Sequence, residues 1–187
     1  MPTPPRTSLA EIVAAGRRIA ERDGLDALTM AAVAADVGVR APSLYKRVDG
    51  RGELVRLVVE DVVGELTALL EAREATGDPG HDLEEVGRAF RQFAHAQPNT
   101  YVLLFARLPA ASRPDPALYA RAAGPVLRAT GALAGPEHAL EAARTVVAWA
   151  HGFLTMELGG AFQLGGDVDA AFEYGLGALV RAIGRPG

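Results

Sequence analysis

The sequence contains no cysteine, so it can build neither a disulfide framework nor a thiolate metal site. Aromatic residues are scarce, at 6%, and 187 residues include a single tryptophan. No stretch alternates apolar and polar residues as a half-buried strand would. No run of about 18 apolar residues occurs, so no membrane-spanning helix is expected. The opening Met1-Pro2-Thr3-Pro4-Pro5-Arg6 lacks the apolar stretch of a signal peptide, and a cytoplasmic location is the expectation. Catalytic signatures are missing too: there is no His-Glu-x-x-His, no Gly-x-Ser-x-Gly and no Gly-rich phosphate loop. The four histidines, His81, His95, His138 and His151, are scattered, and no Glu-x-x-His repeat exists to hold a di-iron centre. Neither an enzyme nor a cofactor is expected.

Apolar residues reach 49%, mostly Ala, Leu and Val, which is enough for a substantial core and favours helix packing over sheet. The net charge of −4 at first argues against a polyanionic partner. The charges are unevenly spread, however. Residues 1–56 carry nine Lys and Arg against seven Asp and Glu, whereas residues 57–187 carry ten against sixteen. A local basic surface suffices to reach phosphates, so distribution counts for more than the sum.

Residues 1–7 are polar and Pro-rich and read as a disordered arm. Ser8-Leu9-Ala10-Glu11 reads as a capping box, and Leu9, Ile12, Val13, Gly16, Ile19 and Ala20 follow at helical spacing until Gly24. Thr29 is a good N-cap for a short helix through Val37, and Gly38 can take the left-handed backbone of a tight turn. Pro42 suits the first turn of a third helix of about seven residues. From Arg51 a long helix is expected, with Leu54, Leu57, Val58, Val62, Leu66, Leu69 and Leu70 on its buried side, ending near Gly77-Asp78-Pro79-Gly80. Five further helical segments follow, including one from about Pro116 to Leu133 kinked at Gly124-Pro125, one from Pro136 to Gly159 and one from Asp167 to Ile183.

The most informative stretch runs from Thr29 to Arg51: two short helices joined through Gly38-Val39, with small and apolar residues that allow a close crossing. The second helix presents Arg40, Ala41, Pro42 and Ser43 in its first turn, then Tyr45, Lys46 and Arg47. Short residues permit close approach, the cations suit base edges or phosphates, and the Tyr hydroxyl suits a phosphate oxygen. Lys46 is also the only lysine in the chain.

Gly38-Val39 followed by Leu44-Tyr45-Lys46-Arg47-Val48 resembles the DNA-binding domain of TetR-family repressors, over residues 8–60. Arg47 stands where that family usually has His, and Val48 where Phe is commoner. The resemblance implies double-stranded DNA as partner, read by Arg40, Ala41, Pro42, Ser43, Tyr45, Lys46 and Arg47. It also implies phosphate contacts from Thr29 and Arg51 at the starts of helices two and four.

The C-terminal part gathers most of the large apolar side chains: Phe90, Phe93, Tyr101, Leu104, Phe105, Trp149, Phe153 and Met156, with His151 and Glu157 among them. Such a set can simply fill a core, or it can line a pocket for a small-molecule effector between helices. Trp149-Ala150-His151-Gly152, continuing to Glu157-Leu158-Gly159-Gly160, is similar to the Trp/His-Gly (WHG) C-terminal domain of one TetR subgroup. That resemblance implies ligand binding and dimerisation over residues 83–183. Apolar residues occupy more than one stripe between Leu140 and Leu158, so that helix needs two neighbours, one of which can belong to a second copy of the chain. A two-fold dimer through the last two helices would set two recognition helices ~34–36 Å apart on a palindromic operator.

The expected fold is thus all-α, with about nine helices. Residues 1–7 form the arm, 8–56 a helix-turn-helix DNA-binding domain and 57–187 a helical ligand-binding and dimerisation domain. The expected function is a sequence-specific transcriptional repressor released by a ligand, with an activator or a ligand-independent regulator as the alternative.

Overall fold

The computed structural model describes residues 7–73 and 75–184; the arm anticipated over residues 1–7 therefore lies, apart from Thr7, outside the described residues. Among the described residues there are ten α-helices, three short 3-10 turns and no strand. None of the helices is long and apolar enough to cross a membrane. The chain divides into two compact units, Met1–Glu65 with Gln97–Leu118, and Leu66–Ala96 with Tyr119–Gly187.

The first unit is built on α1 (Leu9–Asp23), α2 (Met30–Asp36), α3 (Ala41–Leu44) and the first part of α4 (Arg51–Glu71). The capping box forms as expected. Glu11 N donates to Ser8 Oγ at 3.1 Å, and Ser8 N donates to Glu11 Oε2 at 2.7 Å. Thr29 caps α2 by accepting from Ala32 N at 3.1 Å. Ile12, Ile19, Leu28, Val33, Leu44, Val48 and Leu54 are almost wholly buried, each worth roughly 1.5–3 kcal/mol. Gly16 lets α1 cross α4 closely, because a Cβ there would stand 2.8 Å from Val58 Cγ2. The third helix is shorter than expected. Its α-helical part is only Ala41–Leu44, and Tyr45–Arg47 form a turn closed by Arg47 N and Val48 N, both donating to Leu44 O.

Residues 97–118 belong to this same unit, with α6 (Pro98–Tyr101) followed by a 3-10 turn, Val102–Leu104. Gln97 offers α6 no side-chain cap. Glu21 of α1 does that work from a distance. Its carboxylate accepts from Thr100 N and Thr100 Oγ1, each at 2.8 Å, and its carbonyl accepts from Asn99 Nδ2 at 2.7 Å. A carboxylate is favoured at that end of the helix because the free backbone N–H groups point toward it.

The second unit holds the end of α4, then α5 (Pro79–Ala96), α7 (Pro116–Ala122, mostly in this unit), α8 (Gly124–Ala134), α9 (Ala139–Leu158) and α10 (Val168–Ile183). The expected kink at Gly124-Pro125 is a full break into α7 and α8, since Pro125 supplies no N–H to continue the ladder. Gly135 has φ +86°, and residues 136–138 turn before α9 begins, three residues later than expected. Asp78 and Asp167 cap α5 and α10, and Gly160, at φ +65°, closes α9 with Ala161 N donating to Met156 O at 2.8 Å. Long α4 is more extensively buried than one stripe: Val55, Val59 and Val63 are inside as well as Leu54, Val58, Val62, Leu66 and Leu70.

Candidate nucleic-acid interface

Helix α2 ends in a Schellman turn. Val39 N donates to Ala34 O at 2.9 Å, Gly38 N donates to Ala35 O at 3.3 Å, and Gly38 takes φ +72°, which only glycine adopts without strain. This turn aims α3 away from α2. Leu44 and Val48 then anchor the segment in the core at 1% exposure each. With those two side chains inside, Arg40, Pro42, Ser43, Tyr45, Lys46 and Arg47 are all exposed, and Ala41 is half-buried. Tyr45 is 57% exposed, which leaves its hydroxyl free to reach a partner outside the chain.

Ion pairing sharpens the picture. Arg17 pairs with Asp61 and Glu65, Arg18 with Asp36, Arg22 with Asp23 and Arg56 with Glu53 and Glu60. Among the described residues, Arg40, Lys46 and Arg47 form no ion pair. Six described cations of this unit, Arg40, Lys46, Arg47, Arg51, Arg107 and Arg113, form no ion pair, and three of them, Arg40, Lys46 and Arg47, lie together on α3 and its turn, although the net excess over residues 1–56 is only two charges.

Thr29 and Arg51 both have structural duties. Thr29 accepts the Ala32 N–H with an oxygen lone pair, so its own O–H can still donate outward. Arg51 Nε donates to Leu28 O and its Nη2 to Leu25 O, both at 2.8 Å, tying the start of α4 to the turn that precedes α2. A phosphate contact would use the remaining donors of the five on its guanidinium.

The ten residues anticipated around a ligand divide between the units. Tyr101, Leu104 and Phe105 lie in the first; Phe90, Phe93, Trp149, His151, Phe153, Met156 and Glu157 lie in the second. Tyr101 is fully buried and meets Phe105 edge-on at 5.7 Å. In the second unit Trp149, Phe153 and Phe172 form a close triangle, with centroids 5.3–5.6 Å apart, and Phe162 covers Phe153 at 4.9 Å. Gly175 of α10 makes room for the Trp149 ring. Phe172, which is outside the anticipated set, is the completely buried centre of this cluster.

Glu157 is held by Arg91, and also meets His95 Nε2 at 3.2 Å; Arg91 reaches Asp169 and lies 4.8 Å over the Phe172 ring. Burial opposes the Glu157 charge, but the hydrogen bonds from Arg91 and His95 outweigh it and hold this carboxyl below its ordinary range. Burial pulls the His151 imidazole down, favouring its neutral form. Arg91 carries no local signal in the sequence, because its partners lie 66 and 78 residues away.

Comparison with known proteins matches both halves of the chain. A family profile described as bacterial regulatory proteins, tetR family, covers residues 12–58, and one described as the tetracyclin repressor-like C-terminal domain covers residues 83–179. An uncharacterized HTH-type transcriptional regulator of Mycobacterium tuberculosis is 32% identical over 174 residues, spanning 90% of this chain and 78% of that protein. The HTH-type transcriptional repressor DrrR1 of Streptomyces coeruleorubidus is 41% identical over 58 residues, covering 31% of this chain and 22% of its own. A crystallised protein classed as regulatory, SCO4313, superposes with TM-score 0.76 at 28% identity over 91% of this chain and 93% of its own. The structure of BioQ with its double-stranded DNA operator shares the fold, at TM-score 0.70 and 21% identity over 96% of this chain and 99% of that one.

Proposed function

The chain belongs to the tetR family of bacterial regulatory proteins, DNA-binding transcriptional regulators and not enzymes, and on that footing we propose that it is a cytoplasmic homodimeric repressor released from a palindromic operator by a small molecule. The observation that carries the reading is the row of exposed, unpaired cations on α3 and its turn. Arg40, Ser43, Tyr45 and Lys46 read the major groove or its phosphates, and Arg47 reaches the phosphate that a shorter His contacts elsewhere in the family. Thr29 and Arg51 add backbone contacts while holding the motif together. In this reading residues 8–56 do the work of DNA binding, and residues 57–187 that of effector binding and dimerisation.

Dimerisation through α9 and α10 is supported by their exposed faces. On α9 Ala148, Gly152 and Met156 face outward, and on α10 Ala170 and Tyr174 do so, Tyr174 at 76% exposure. Small residues there allow a second copy to approach closely. Assignment to the Trp/His-Gly subgroup rests on Trp149-Ala150-His151-Gly152 and on the cluster that Trp149 joins. The effector lowers operator affinity only by binding the free form better than the DNA-bound form, and operator must then lower effector affinity by the same factor.

The test is to select bound duplexes from a random pool, then to measure affinity by fluorescence anisotropy at several salt concentrations. The expected result is a palindrome bound by two chains, with affinity falling steeply as salt rises. Unchanged affinity in the combined Lys46→Ala, Tyr45→Ala variant would falsify the assignment. A promoter assay separates a repressor, which lowers transcription, from an activator.

A further inference from the structure

Within the second unit, a cleft of about 310 Å³ opens between the end of α4, the start of α5 and one face of α8. None of the ten residues anticipated around a ligand lines it. Its floor is Leu70, Val86, Pro125 and Ala129, with exposed Ala132 on the rim, and the two α8 alanines are too short to fill the space beside α5. Two arginines border it, Arg73 from beyond the end of α4 and Arg128 from α8. Gly124 lets the Arg128 guanidinium fold back along its own helix, with Nη1 only 3.3 Å from where a Cβ would stand.

Two of the unit's four arginines without an ion pair among the described residues stand at this cleft, the others being Arg144 on α9 and Arg181 on α10. Arg88, Arg91 and Arg121 are each paired with carboxylates. Among the described residues, Arg73 and Arg128 form no ion pair. Of the two acids at the rim, Glu85 is ion-paired, whereas Asp82 is held by neutral donors that favour its charged form. Asp82 accepts from Thr76 N at 2.9 Å and from Thr76 Oγ1 at 2.7 Å, and Glu85 accepts from Arg88 Nη1 at 2.8 Å. What remains is an apolar floor edged by two guanidinium groups without ion pairs and by the single Asp82 carboxylate, so that cations outnumber unpaired acids.

We infer that this cleft binds a small amphiphilic monocarboxylate, its apolar body on the floor between α5 and α8 and its carboxylate between Arg73 and Arg128. The volume equals about ten waters at ~30 Å³ each, which suits a single-ring aromatic or medium-chain aliphatic acid. Guanidinium groups offer the forked donors that a carboxylate accepts in pairs. Water on the apolar floor has few partners, and an apolar body displaces it favourably. The site stands on this geometry alone; only its use as the effector site rests on the repressor reading above.

The experiment is titration calorimetry of the full chain with octanoate and benzoate, with octanol as the uncharged control. At least one acid binds, and octanol binds about tenfold or more weaker, as expected for loss of a charge-assisted hydrogen bond. Arg128→Gln and Arg73→Gln each weaken the acid about tenfold and leave octanol unaffected. Ala132→Phe, at an exposed position on the rim, blocks the acid while circular dichroism and operator binding stay as in the parent. Absence of binding by both acids, equal binding of acid and alcohol, or indifference to all three substitutions overturns the inference. An acid that binds here yet leaves operator affinity unchanged keeps the site and removes only its role as the effector switch.

Discussion

Arginines serve opposite purposes on α3 and on α5. On α3 and its turn, Arg40 and Arg47, with Lys46, face outward without carboxylate partners. On α5, Arg88 is held by Glu84, Glu85 and Glu173, and Arg91 by Glu157 and Asp169. The first set holds an unsatisfied demand for anions, which a duplex can meet. The second set satisfies that demand internally and joins α5 to α9 and α10. The same residue type therefore marks binding in one place and cohesion in another, and only the partners distinguish them.

The contrast can be broken most severely at the outward set. Replacing Arg40, Lys46 and Arg47 together by Ala should weaken operator binding by roughly 3–4 kcal/mol, at ~1–3 kcal/mol per specific contact with incomplete additivity. Thermal melting should hardly change, because none of the three is tied into the fold. A large fall in melting temperature would mean that these cations serve the structure instead.

The inward set should show the reverse pattern. Arg91→Ala leaves Glu157 in a mostly buried place with only His95 for company, and should cost about 2 kcal/mol of stability. That is below the ~3–5 kcal/mol of a fully buried pair, since water still reaches the rim. Denaturant unfolding measures it, and operator affinity of the folded fraction should be unaltered.

Gly38→Ala should give an intermediate outcome. The backbone at φ +72° disfavours a Cβ by ~1–2 kcal/mol, although the space around it is open. Both stability and operator affinity should fall, because this turn sets the direction of α3. Loss of neither would mean that α3 is aimed by Leu44 and Val48 alone.

The smallest effect concerns pH. The His151 pKa is lowered in the fold, so the unfolded chain binds its proton first as pH falls below about 6.5. This contribution is intact above that pH and declines as pH drops toward the folded value. His151→Gln should flatten the pH dependence of unfolding between neutral and mildly acidic conditions. An unchanged slope would assign that dependence to other groups.

Much of the DNA-reading region was legible in the residues themselves. The Ser8–Glu11 capping box, the Thr29 cap, the glycine turn and the exposed run from Arg40 to Arg47 all depend on neighbours within a few positions. The proposed ligand region was far less legible. The anticipated aromatic set divides between the two units, and its best-packed members surround Phe172. The cleft between α5 and α8 depends on side chains that are too short, which no pattern of large residues can reveal.

By itself, then, the sequence determined an all-helical chain and the exposed segment proposed to read DNA, because caps, turns and apolar spacing act over one or two helical turns. Tertiary structure alone decided which cations stay unpaired, that Glu21 caps α6 from 79 residues away, and that Arg91 binds Glu157 and Asp169. Those outcomes depend on which helices meet, and ion pairs across such distances leave no trace in local spacing.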